Sequence, residues 1–254
     1  MFENKEVLVT GASRGIGQAI ADGFLDAGAK VSILASSDDV HRTADELGKK
    51  HGKSVRAIQC DISSMEAVDR ALANITAIDV LINNAGLELE TPITDLSDET
   101  ADRFRRIIEI NVLGTYYVTR SCVNKMTRGG RILITSSIWG KTAVAGFSAY
   151  CASKHANLGF MRSLAWELAP KGITVNAVCP GWVQTGAAMK SLEVMSDGSQ
   201  VSAAEELAKI TSRQAIDGLL EPQDVVAPYL FLASDGAADI TGQALNIDRG
   251  EVMY

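Results

Sequence analysis

Tyr150 and Lys154 lie four residues apart in a segment of helical spacing, so both side chains project from one face and an ammonium can lie beside a phenol. A free tyrosine, with a pKa near 10, is a poor base at neutral pH. At about 5 Å and an effective dielectric of about 20, a fixed cation favours the phenolate by roughly 3 kcal/mol, or about 2 pKa units. The spacing therefore suits general acid–base chemistry at Tyr150. Alone the pattern is cheap, because with five tyrosines in the chain a helix-surface pair would read the same way. His155, adjacent to Lys154, points roughly 100° away around the helix and is expected to pack or face solvent. His41 and His51 have no carboxylate or cysteine at metal-ligand spacing, and no metal is assigned.

A second group suits phosphate rather than protons. Thr10, Gly11, Ala12, Ser13, Arg14, Gly15, Ile16 and Gly17 follow an apolar run and open a helical pattern. Glycines at such a junction let the backbone turn sharply and approach a pyrophosphate, whose charge the free N–H groups and positive dipole of the new helix bind. Tight strand-to-helix turns also need glycine for steric reasons alone, so placement after the first strand of a strand–helix–strand unit is what points to a dinucleotide.

The elements that must hold these groups are legible as short β-branched runs: Val7 to Thr10, Val31 to Ala35, Val55 to Cys60, Val80 to Asn83, Ile132 to Thr135, Thr174 to Cys179 and Ala244 to Ile247. They are nearly continuous in apolar character, as strands buried on both faces are. Helical patterns separate them, such as Ile16, Ala19, Ile20, Phe24 and Ala27, stopped by Gly28. This alternation predicts an α/β fold: one doubly wound, parallel, seven-stranded sheet with helices on both faces, forming a single domain over residues 1–254. The rhythm breaks at about 182–213, where a substrate lid is expected, with a pair of surface helices as the plainer reading.

Composition narrows the partners. The chain has 254 residues, 46% hydrophobic and 22% charged, with 24 Lys and Arg against 31 Asp and Glu for a net charge of −7. That balance disfavours nucleic acid and anionic lipid. Arg103, Arg105 and Arg106 alternate with other residues as a solvated helix face would. No run approaches the roughly 18 apolar residues of a membrane span, and Met1 to Glu6 carry no basic leader, so a soluble, cytoplasmic protein is expected. Cys60, Cys122, Cys151 and Cys179 are too widely spaced for a zinc site or a disulfide framework.

The glycine spacing, Gly11, three residues, Gly15, one residue, Gly17, preceded by Thr10, resembles the short-chain dehydrogenase/reductase family, a Rossmann-like fold binding NAD or NADP. Asn83, Asn84, Ala85 and Gly86 match its N-N-A-G at the end of the fourth strand. Asp61, followed by Ile62, stands where the family contacts adenine. Pro180, Gly181, Val183 and Thr185 match the segment that holds the nicotinamide carboxamide. The resemblance runs from about Glu6 to Gly250. It also supplies two further catalytic positions: Ser137, 13 residues before Tyr150, and Asn111, in the helix after N-N-A-G. Its implied chemistry is hydride transfer between nicotinamide and a carbonyl carbon, with Tyr150 moving the proton. Ser137 would steady the oxyanion, Lys154 would hold the nicotinamide ribose, and Asn111 would orient a water. Phe104 and Arg249 depart from the pattern, Arg249 replacing the first glycine of a late Gly-Gly pair.

At the end of the second strand a carboxylate would select NAD by repelling a 2′-phosphate. Here Ala35 is followed by Ser36 and Ser37, Asp38 and Asp39 arrive late, and Arg14 sits in the glycine loop. NADP(H) is favoured, with NAD(H) as the alternative. Leu87, Trp139, Val144, Phe147, Trp182 and Met189, near the strand ends with Ser137 and Tyr150, are mostly apolar and predict an uncharged or weakly polar ketone or secondary alcohol. Two other readings stand beside this one. A 3-oxoacyl-(acyl-carrier-protein) reductase would need a basic landing surface, for which the three arginines could serve. A non-catalytic dinucleotide sensor would be free to lose Ser137, Tyr150 or Lys154. Family analogy suggests a homotetramer, with Val252, Met253 and Tyr254 against a neighbour.

Overall fold

The computed structural model describes residues 1–254. Seven strands form one sheet: β1 (Glu6–Thr10), β2 (Lys30–Ala35), β3 (Arg56–Gln59), β4 (Val80–Asn83), β5 (Arg131–Thr135), β6 (Thr174–Pro180) and β7 (Ala244–Ile247). All pairings are parallel, in the order β3-β2-β1-β4-β5-β6-β7. The strand order reverses between β1 and β4, where Val7 pairs Val80 and Val9 pairs Ile82. Connections leaving in opposite directions there open a crevice at the carboxyl ends of the strands, the usual ligand position in such sheets.

Near-continuous apolar character in the strands corresponds to two separate packing layers. Leu8, Leu81, Ile132, Ile134 and Val175 face one layer, covered by α3 (Met65–Leu72), α5 (Thr115–Val123) and α6 (Ser148–Leu168). Their neighbours Val7, Val9, Ile82, Leu133 and Val178 face the other, beneath α1 (Gly15–Asp26), α2 (Asp39–His51) and α9 (Val226–Ala233). Successive residues of one strand thus serve opposite faces, and burial drives both layers at about 25 cal/mol per Å² of apolar surface.

The break at 182–213 contains two helices, α7 (Gly186–Ser199) and α8 (Ala203–Thr211). Thr185 caps α7 by accepting from the Ala188 N–H, and Ser202 and Glu205 form a reciprocal cap on α8. Leu192 and Ile210 pack with Trp139, Phe147, Trp182 and Val252 in a small cluster above the strand ends. The plainer expectation, a helix pair, describes its structure.

Arg249 stands in the left-handed region at φ 56, a conformation that favours glycine. Its guanidinium donates to the Asp217 and Leu219 carbonyls, and its own carbonyl accepts from Ala215 and Ile216. The turn forms without the glycine because tethers to the 215–219 segment hold it.

Candidate active site

The crevice is a cleft of about 450 Å³ running from the β2 end to α7. At one end lies the start of α1. Arg14 occupies its N-cap with extended backbone and no side-chain cap, and the first turn has no acid. Helices α3, α4 (Asp98–Ile108), α7 and α8 all have a Ser or Thr accepting from a first-turn N–H. The uncapped donors of α1 differ from these, and they open into the cleft with Ser13, Gly15, Ile16 and Gly17. A pyrophosphate fits this cradle by satisfying N–H groups that the chain leaves free.

Backbone contacts set the cradle. Thr10 Oγ1 accepts from the N–H groups of Asn84 (3.0 Å) and Ala85 (3.1 Å), and the Asn84 amide donates to the Thr10 and Gly11 carbonyls. Asn84 Oδ1 accepts from Thr135, which also meets the Tyr229 hydroxyl at 2.7 Å. A Cβ on Gly11, at φ 67, would lie 2.6 Å from the Ala85 Cα. The N-N-A-G match thus fastens the glycine loop to β4.

Ser36, Asp61, Ile62, Asn84, Ala85, Gly86, Pro180, Gly181, Val183 and Thr185 also line the cleft. Ser37 does not: its hydroxyl donates to Asp39, at the start of α2. No carboxylate follows Ala35 at the end of β2, and exposed Arg14 has no ion-pair partner. Arg106, read from sequence as part of a solvated face, instead lines the cleft and holds Asp61 at 2.6 Å. That pairing and the hydrogen bonds from Ser63 outweigh burial and keep the Asp61 carboxyl below its usual range.

Ser137, Tyr150 and Lys154 meet at the other end. Helix α6 presents Tyr150 and Lys154, with the Lys154 Nζ 5.4 Å from the phenol ring centroid and donating to the Thr135 carbonyl at 2.9 Å. Ser137 lies just past β5, where its Oγ accepts from the Trp139 N–H, near enough to the Tyr150 hydroxyl to favour its ionised form. Electrostatics differ from the sequence-based expectation. Burial, reinforced by the Glu88 carboxyl, pushes the phenol well above the ordinary tyrosine range, and burial lowers Lys154 to about 8. Desolvation dominates, which favours the protonated phenol.

Asn111 is fully buried in a wide turn, Glu109–Gly114, with π-helical hydrogen bonding. Its amide group accepts from the Leu87 N–H (2.7 Å) and donates to the Leu87 carbonyl and Ser153 Oγ (2.9 Å each). The side chain is thus committed to protein groups and clamps the loop after β4 instead of reaching the cleft. Trp139 and Trp182 line the cleft edge to face, 5.8 Å apart. Phe147, Val144 and Met189 lie behind them as support, outside the lining.

His155 is exposed, its Nδ1 against the Cys151 carbonyl. His51 finds a carboxylate after all, Asp22 at 2.7 Å, contributed by α1 across 29 positions. The four cysteines are free and buried, and no three potential ligands cluster for a metal. No helix is long and apolar enough to cross a membrane. Sequence reasoning missed Glu88, which lines the cleft beside Tyr150 and accepts from Ser191 on α7. Its position two residues after N-N-A-G was the available signal.

The cradle and the proton-transfer group open into one another, and this defines the class: an oxidoreductase working between a carbonyl and an alcohol with a bound dinucleotide. The chain belongs to the short-chain dehydrogenase/reductase family. Residues 11–251 match a family model described as enoyl-(acyl carrier protein) reductase. The chain is 34% identical to the 3-oxoacyl-(acyl-carrier-protein) reductase FabG of Escherichia coli (strain K12) over 255 residues, 99% of each chain. Among solved structures, it is similar to a variant of actinorhodin polyketide ketoreductase holding NADPH: 35% identical, TM-score 0.91, covering 100% of both chains. It also resembles the L-sorbose reductase of Gluconobacter frateurii complexed with NADPH and L-sorbose: 27% identical, TM-score 0.87, covering 98% and 97%. Other neighbours were solved with NADP or NAD⁺.

Proposed function

We propose that the protein is an NADP(H)-preferring reductase of ketones, or dehydrogenase of the corresponding secondary alcohols, with Tyr150 as its general acid and base. Placement of Ser137, Tyr150 and Lys154 at the far end of the same cleft as the uncapped α1 terminus carries this reading. In it, Ser13, Gly15, Ile16 and Gly17 hold the pyrophosphate, Asp61 and Ile62 face the adenine, and Val183 and Thr185 lie by the carboxamide. A bound nicotinamide supplies the hydride. Tyr150 donates its proton to the carbonyl oxygen, Ser137 donates a hydrogen bond to that oxygen as charge develops, and the Lys154 ammonium stabilises the phenolate left behind. The raised phenol suits the reducing direction, in which the reacting tyrosine begins protonated. Asn111 acts by position, holding the Leu87 backbone from beneath. Helices α7 and α8 form the lid over the substrate.

The NADP(H) preference rests on Arg14 and Ser36, with no carboxylate directly after β2. The test compares NADPH with NADH over a panel of ketones, diketones, sugars and acyl thioesters, following nicotinamide absorbance. At least a tenfold higher kcat/KM with NADPH, worth about 1.4 kcal/mol, is expected; a tenfold preference for NADH would overturn it. A second reading, reduction of a carrier-bound acyl thioester, draws on the likeness to FabG. Its arginine landing surface is weakened, because Arg103, Arg105 and Arg106 pair with Glu99, Asp102 and Asp61. Turnover confined to thioesters would establish that reading. We place the enzyme in the cytoplasm as a homotetramer. Trp166 on α6, 85% exposed, and half-exposed Tyr116 on α5 suit burial against another copy. A monomeric mass by light scattering would remove that assembly.

A further inference from the structure

Glu88 is the carboxyl at the reacting end of the cleft, Asp61 being tied to Arg106 at the other. Its main chain is rigidly placed, because Asn111 takes both the N–H and the carbonyl of the preceding Leu87. Its side chain accepts from Ser191 of α7, 103 positions away, and bears on the Tyr150 hydroxyl. No Lys, Arg or His forms an ion pair with it; the nearby Lys154 ammonium donates to the Thr135 carbonyl. The surrounding wall is aromatic, from Trp139 and Trp182. A carboxyl in such surroundings is costly unless hydrogen-bond partners offset its desolvation. It has about four acceptor directions, and the bond from Ser191 leaves capacity open toward the position of a substrate.

We propose that Glu88 is a specificity-determining residue that hydrogen-bonds a hydroxyl on the carbon adjacent to the reacting carbon, so that the substrates are α-hydroxy ketones and the matching polyols. The proposal rests on the carbonyl–alcohol reading above and names its substrate class. Tyr150 marks the reacting oxygen, and the hydroxyl of an α-hydroxy ketone, three bonds from that oxygen, falls beside it on the side where Glu88 lines the cleft. A hydroxyl both donates and accepts, so it matches the carboxyl in either protonation state. This versatility matters because burial raises the Glu88 carboxyl above its ordinary range. A substrate carboxylate at the same place would meet like charge. Sites that hydrogen-bond a substrate hydroxyl also reject analogues lacking it more strongly than apolar pockets reject a missing methylene.

The deciding measurement is kcat/KM for 1-hydroxy-2-butanone and 2-butanone, with NADPH and again with NADH, in the full-length enzyme, Glu88→Ala and Glu88→Gln. The native enzyme should prefer the hydroxy ketone by about tenfold or more, with the difference mainly in KM. Glu88→Ala should bring the ratio to within about threefold of unity. Glu88→Gln keeps the side-chain volume and one acceptor oxygen, guards against misfolding in the alanine variant, and should give an intermediate ratio. A native ratio near one, or a ratio unchanged in both variants, overturns the assignment of Glu88 while leaving carbonyl reduction intact. Failure of the native enzyme to reduce either ketone with either nicotinamide overturns the carbonyl reading and this proposal with it.

Discussion

Between Gly11 and Gly17 the cleft wall is largely main chain, with the Arg14 and Ile16 side chains beside it, contributed by one continuous stretch and fastened by Thr10 and Asn84. Between Trp139 and Trp182 it is aromatic rings and ionisable groups, assembled from the β4 and β5 ends, α6 and α7. In the proposed reading the first end would recognise charge with backbone N–H groups, which any sequence able to make the turn can offer. The second depends on particular atoms held at particular distances. Substitutions should therefore damage the two ends in different ways.

The largest separation is expected from Tyr150→Phe. Removing one oxygen from the reacting end should lower kcat by about a thousandfold, within the range attributed to a positioned acid–base group. NADPH affinity, measured by fluorescence titration, should change by less than about threefold. Retained turnover would show that another group moves the proton, and lost affinity would show that the ends are not separable.

A tenfold effect should follow from pH. Burial lowers Lys154 to about 8, so its ammonium is present below that pH and lost above it. Reduction measured as kcat/KM should then fall by about tenfold between pH 7 and 9, as a single titration near 8 requires. The sign for stability is opposite. Between about 8 and 10.5 the unfolded lysine keeps a proton that the folded one has released, so this group adds stability as pH rises. A melting temperature falling in step with activity would assign the loss to unfolding instead. Lys154→Arg, whose guanidinium stays charged over this window, should flatten any activity that survives.

Smallest is Arg14→Ala. Because the cradle is main chain, NADH kinetics should remain within about twofold while KM for NADPH rises about fivefold, the scale of one surface charge contact. Equal losses with both cofactors would mean that Arg14 supports the loop itself.

The same contrast explains what could be read from the chain. All seven strands were legible because burial on both faces writes an unbroken apolar run, and the glycine loop and the Tyr150–Lys154 pair were legible because each is complete within eight residues. Contacts between distant positions were not. Arg106 reaches Asp61 across 45 residues and His51 reaches Asp22 across 29, so a helix-face reading of the arginines and a local search for histidine partners both missed them. Glu88 escaped because its meaning comes from Ser191 and Tyr150 rather than its neighbours. Lys154 lies beside the Tyr150 ring as the spacing predicts, yet the expectation that it lowers the phenol failed because burial cannot be read from a spacing of four.

The Glu109–Gly114 turn gives the chain a dependence on counting as well as identity. A π-helical turn accommodates roughly one residue more than regular α-helix would, and each residue added to a helix rotates the downstream chain by about 100°. Excising a single position there would swing Asn111 off its pedestal beneath Leu87, or turn α5 off the sheet, even with every motif letter retained. Length in this stretch therefore matters as much as residue type, and an irregularity in the helix serves as its ruler.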